Sequence, residues 1–107
     1  MSGPTPLSIA CDLGALSSGQ RAREQELLKE FRGIFRDARE TAHGYSVTVP
    51  EDPLVLSRLG EFLALERLCC QFLTFDLCIP AGRGVITLQI HGQPGTKAFL
   101  RSEFFAA

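Results

Sequence analysis

"FLTFDLCIPAGRGVITLQIH", residues 72–91, is the stretch whose reading decides the fold. Two runs in it alternate apolar and polar residues, the period of a half-buried strand. Leu73, Phe75, Leu77 and Ile79 share one face of the first run, and Phe72, Thr74, Asp76 and Cys78 share the other. In the second run Ile86, Leu88 and Ile90 point inward. Residues 80–84 (PAGRG) lie between the runs and are turn formers, so the stretch predicts a hairpin. Gly82-Arg83-Gly84 could be read as a phosphate loop, but no helix follows it, which favours a plain turn. A sheet with one apolar face needs one layer of cover.

The cover lies on either side of the hairpin. Upstream, Asp52-Pro53 starts a helix that runs to about Cys70, with Val55, Leu59, Phe62 and Leu63 as its apolar stripe. Before it, "YSVTV" (45–49) is a strand with Tyr45, Val47 and Val49 inward. Ser17 and Gln20 have the capping-box spacing. They open a helix to about Thr41, whose stripe is Leu27, Leu28, Phe31, Ile34, Phe35 and Ala38, with Gly44 as its stop. "LSIACDL" (7–13) alternates like a strand, with Cys11 on the apolar side, and residues 1–6 are a polar tail. Downstream, Thr96 caps a short last helix carrying Ala98, Phe99, Leu100 and Phe104. The expected fold is one α+β domain over residues 7–107, a two-layer sandwich in the order β-α-β-α-β-β-α. Its helices cover one face of a four-stranded sheet, whose strand order the pattern does not give.

At 107 residues the chain is long enough for one self-standing core. Its net charge of -1, with acid and base interspersed, argues against a nucleic-acid or anionic-membrane surface. The start "MSGPTPLSIACDLG" lacks a signal peptide's basic residues and apolar run, and no stretch reaches the ~18 apolar residues of a membrane span. These features predict a cytoplasmic protein with reduced thiols, so its four cysteines are expected to be free.

"ERLCCQF" (66–72) carries the chemistry. Glu66 continues the apolar stripe of the second long helix, where a carboxylate is unwelcome, and Cys69 and Cys70 follow at helix-neighbour spacing. Cys11 faces the same core. A helix C-terminus and a nearby carboxylate both oppose thiolate formation, so a catalytic thiol is poorly served there. A soft cation reverses each of those terms. Cys11, Glu66, Cys69 and Cys70 are therefore the candidate metal ligands. The ion would be mercury, copper(I), zinc or a metalloid. Adjacent helical residues point ~100° apart, so either the helix loosens at its end or only one of the pair binds. Two other readings stand beside this one. In the first, the cysteines are buried packing in a structural or interaction module, such as a homodimer, with Glu66 paired to Arg58, Arg67 or another basic group. In the second, they serve a thiol redox or transfer enzyme with Glu66 as base. Cys78, His43 and His91 read as surface residues.

"IACDL" and "ERLCCQFLTF" resemble a small bacterial domain with A-C-x-L and E-x-x-C-C-x-F-x-x-F segments, associated with mercury-resistance-type (MerR) regulators. The likeness runs from Ala10 to about Leu100 and is specific at Cys11, Glu66, Cys69, Cys70, Phe72 and Phe75. Gln71 replaces the proline or small residue expected there, and Cys78 lies outside the pattern. The resemblance implies a heavy-metal response and a metal-responsive regulator as partner, with the three cysteines as the thiol set. It does not imply an enzyme.

Overall fold

The computed structural model describes residues 8–105. The expected tail, residues 1–6, lies outside them. Its elements are α1 (Ser18–Ile34), β1 (Arg36–Glu40), β2 (Gly44–Val49), α2 (Pro53–Cys69), β3 (Leu73–Cys78), β4 (Ile86–Gly92) and α3 (Thr96–Glu103). The four strands form one antiparallel sheet in the order β1-β2-β4-β3. The α+β class and the helix-covered four-stranded sheet are as expected.

The core sits between sheet and helices. Tyr45, Val47 and Val49 pair in register with Ile90, Leu88 and Ile86, and all six are buried. Phe31 of α1 stacks on Phe62 of α2, with ring centroids 5.3 Å apart, and Phe104 meets Phe62 edge-on. Both long helices start as their sequences dictate. Ser17 Oγ accepts the Gln20 N–H at 3.1 Å while Gln20 Oε1 accepts the Ser17 N–H at 2.9 Å. Asp52 Oδ1 accepts the Leu54 N–H at 2.8 Å.

One strand comes from an unexpected place. The first helix does not reach Thr41. It ends at Ile34, Phe35 turns extended, and Arg36–Glu40 becomes an edge strand on β2. Asp37, at φ 52°, lies within the register shift between Arg36 and Arg39. All five strand residues are exposed, so their charges suit a helix face and a sheet edge equally. Pairing with β2 decides between them. Conversely, residues 8–13 form no strand. Asp12 instead accepts the Gly14 N–H at 3.0 Å and caps a single 3₁₀ turn, Leu13–Ala15.

Three smaller differences follow from local geometry. Gly44 is not a helix stop but the buried start of β2, where a Cβ would run into the Ile90–His91 backbone. Gly95, at φ 101°, caps α3 in place of Thr96. Leu77 and Ile79, on the expected apolar face, are exposed on and just beyond the edge strand β3.

Candidate metal centre

The site forms where α2 ends. Cys69 is its last residue, and Cys70 leaves the helix at φ -111°, ψ 69°. The helix thus loosens at the point required for both cysteines to face one volume, and their sulfurs lie 3.6 Å apart. The Ser8–Leu16 segment passes beside this end. The Asp12 N–H donates to the Cys69 carbonyl at 2.7 Å, and Cys11 and Cys70 approach to a Cα separation of 4.4 Å.

Cys11 and Cys70 are joined by a disulfide. This corrects the expectation of four free thiols: spacing and compartment argue about the pool of cysteines, whereas the bond depends on two of them meeting in space. Cys69 and Cys78 are free, the first buried and the second exposed.

All four predicted ligands converge. One ligand atom from each of Cys11, Glu66, Cys69 and Cys70 can be chosen so that every pair lies within 4.8 Å. Glu66, Cys69 and Cys70 are buried, at 3%, 2% and 1% exposure, and Cys11 is half-buried. His43 is exposed. His91 pairs instead with Asp76 on the open sheet face, Nε2 to Oδ2 2.6 Å.

Among the described residues Glu66 lacks the basic partner that a packing role would give it. Arg58 Nη1 goes to Glu30 at 2.8 Å, and Arg67 is exposed. What faces Glu66 is Glu24, a second buried carboxyl, at 5% exposure. Burial first, then the hydrogen bond with Glu24 and the charges of Glu24 and Glu103, push the Glu66 carboxyl up to about 9. Its protonated form is therefore favoured at neutral pH, in a hydrogen bond shared with Glu24. Its Oε1 is buried with no hydrogen-bond partner among the described residues. Burial, followed by the charges of Glu66 and Glu24, pushes the Cys69 thiol up to about 12.

Glu24 is the residue missed in the sequence, and it carried a readable signal. It stands three, four and seven residues before Leu27, Leu28 and Phe31, on the apolar stripe of α1. That is the same anomaly that marks Glu66 on α2.

Two clefts flank the Ser8–Leu16 segment. One, of about 430 Å³, is lined by Ile9, Cys11, Glu24, Leu28, Phe99 and Glu103 among others. The other, of about 260 Å³, is lined by residues including Ala10, Asp12, Cys69 and Phe72. No helix among the described residues is long and apolar enough to cross a membrane. Comparison with known proteins adds no relative: no family model, no curated protein and no solved structure matches the chain.

Proposed function

We propose that the reduced protein binds one soft metal cation through the sulfurs of Cys11, Cys69 and Cys70 and an oxygen of Glu66. The observation that carries this is the convergence of those four groups within 4.8 Å, although Cys11 and Cys70 are 59 residues apart in sequence. The spacing suits an ion. A tetrahedral centre with ~2.3 Å bonds to sulfur sets its ligands about 3.8 Å apart. Cys69 Sγ and Cys70 Sγ are already separated by 3.6 Å. The unpartnered Glu66 Oε1 supports the same reading, because a buried oxygen without a donor is expensive unless something electropositive meets it. The weakened acidity of Glu66 and of Cys69 has the same meaning: the cluster lacks positive charge, and a divalent cation would supply it while displacing protons.

Within this reading the protein is a metal-sensing or buffering module of the cytoplasm, where a thiol pool can open the disulfide. Its resemblance at Cys11, Glu66, Cys69 and Cys70 to the MerR-associated domain supports a heavy-metal response, with a metal-responsive regulator as partner. A thiol enzyme is less well supported, because the one free buried thiol is pushed away from the thiolate form.

The test is a titration of reduced protein, freed of reductant under anaerobic conditions, with Cd²⁺. One ion per chain should bind, with a thiolate charge-transfer band in the ultraviolet and a one-ion mass shift in native mass spectrometry. The triple variant Cys11→Ser, Cys69→Ser, Cys70→Ser should lose both signals. Equal binding by the triple variant removes the proposal.

A further inference from the structure

The Ser8–Leu16 segment is attached in an unusual way. None of the residues from Ser8 to Ala15 is fully buried, and the chain reaches full burial only at Leu16. Leu16 anchors the segment's far end in the core and the Leu13–Ala15 turn touches α2; before that turn its inward attachments are half-buried Ile9 beside Gly95, the Asp12 N–H to the Cys69 carbonyl, and the Cys11–Cys70 bond. Ordering so many backbone residues is opposed by conformational entropy. Over residues 8–12, one hydrogen bond and one half-buried isoleucine return little against it. The covalent bond therefore holds the segment down. The segment in turn crosses between the two clefts, over the end of α2, and leaves Glu66, Cys69 and Cys70 almost without solvent access.

We propose that the Cys11–Cys70 bond is a redox latch on this segment, and that the metal ion is a second, alternative latch. This rests on the ion-binding reading above and adds its regulation. In the oxidised protein the sulfurs of Cys11 and Cys70 are bonded to each other, and the segment is closed. Two equivalents of a small thiol, or one dithiol, open it. A thiolate attacks one sulfur of the Cys11–Cys70 bond, the other leaves with the bonding electron pair and takes a proton, and a second thiolate resolves the mixed disulfide. The reductant ends as its own disulfide, and Cys11 and Cys70 end as thiols. The segment is then free to lift, which exposes Cys69, Cys70 and Glu66 to the ion. Binding a divalent cation displaces one proton to solvent from each protonated group that it takes as a ligand, and rejoins Cys11 to the α2 end as sulfur–metal–sulfur, so the segment closes again. A two-electron oxidant such as hydrogen peroxide reverses the cycle. It takes two electrons from the Cys11 and Cys70 thiolates, is itself reduced to two waters with two protons, and leaves the disulfide and the released ion.

Amide hydrogen exchange over residues 8–16, followed by mass spectrometry on the wild-type chain, reads the latch in three states. Native mass spectrometry of the same samples counts Cd²⁺. In the reduced, metal-free protein the segment should exchange about tenfold faster or more than in the oxidised protein. One equivalent of Cd²⁺ should restore slow exchange to within about twofold of the oxidised value, with one ion bound. Cys11→Ser, checked for folding by circular dichroism, should exchange fast in all states, including with Cd²⁺. A segment equally protected in the reduced, metal-free chain overturns the latch. An ion bound with the segment still open overturns the second closure while leaving ion binding intact at the α2 end. A segment freed by reduction with no Cd²⁺ bound defeats the ion reading itself, and leaves the disulfide as the only closure.

Discussion

Helices α1 and α2 meet along two seams that treat acidic residues in opposite ways. On the outer seam Arg23 Nη2 reaches Glu61 Oε1 at 2.7 Å, and Arg58 Nη1 reaches Glu30 Oε1 at 2.8 Å. The two pairs run in opposite senses along the helices, so the helices are antiparallel. The Arg23 guanidinium holds the Glu61 carboxyl below its ordinary range. On the inner seam the next residue of α1, Glu24, faces Glu66, and the largest influence on Glu66 is burial. One acid ionises because its cation is built in. The other keeps its proton because none is. The inner seam is organised around a missing positive charge, in reach of three sulfurs.

The largest effect expected on that inner region comes from its cross-link. The disulfide spans 59 residues, and a loop of this size is held by about 4 kcal/mol in the chain-entropy account. Urea unfolding of the oxidised protein with and without reductant should show a loss of about 2–4 kcal/mol on reduction. Cd²⁺ at about 100 times its Kd should then return about 2.7 kcal/mol to the reduced form. An unfolding midpoint that ignores reductant would mean that the bond constrains nothing.

Next in size, and opposite in sign, is the removal of Glu66. Its folded-state value, about 9, lies above the ordinary 4.5. Between those two values the folded chain keeps a proton that the unfolded chain has lost. Stability from this group is therefore complete below about pH 4.5 and declines as pH rises to about 9, by up to ~1.4 kcal/mol per unit. Glu66→Gln keeps the shape and a donor for Glu24 but has no proton to lose. The variant should be more stable than wild type near pH 8, by about 1–3 kcal/mol, with a flatter pH profile. It should also bind Cd²⁺ more weakly. Parallel profiles for the two proteins would show that Glu66 is not a buried acid.

These two tests bear on residues whose roles were legible to different degrees. The acid on an apolar stripe and the cysteines one turn beyond it could be read from helical spacing alone. The meeting with Cys11 could be guessed from its apolar placement, though by way of a strand that does not exist. Local alternation in "SIACD" is satisfied equally by a strand and by a segment pinned at one residue. The edge strand Arg36–Glu40 was hidden for a related reason. Its one apolar residue, Ala38, fits the expected helix stripe and is exposed in the strand, and the charged residues around it suit either form, so only the hydrogen bonds to β2 separate them. The hairpin and both helix starts were visible because each is encoded within a few residues. Disulfide pairing and the Glu24–Glu66 encounter join distant parts of the chain, which no local spacing encodes.

The two free thiols sharpen the comparison chemically. Cys69 shares the inner seam's shortage of positive charge and is pushed up to about 12. Cys78 is exposed on β3. At pH 8 the oxidised, folded protein should take up one iodoacetamide per chain, at Cys78, with Cys69 labelled only after unfolding. Peptide mass mapping locates the adduct. Prompt labelling of Cys69 would contradict its burial beneath the segment.

The smallest effect should come from the outer seam, although its geometry is the better by ordinary standards. Arg23 makes hydrogen bonds to both oxygens of Glu61, and a further one to Glu26 at 3.0 Å. All three side chains are substantially exposed, so water and salt already solvate the separated charges. Arg23→Ala should barely move the urea midpoint, and the residual shift should shrink further in 0.5 M salt, roughly as Debye screening requires. Cd²⁺ uptake and the pH profile should be those of wild type. If Arg23→Ala matched Glu66→Gln in altering the pH profile, the two seams would share one charge network, and the inner acid would not be isolated from the cations outside it.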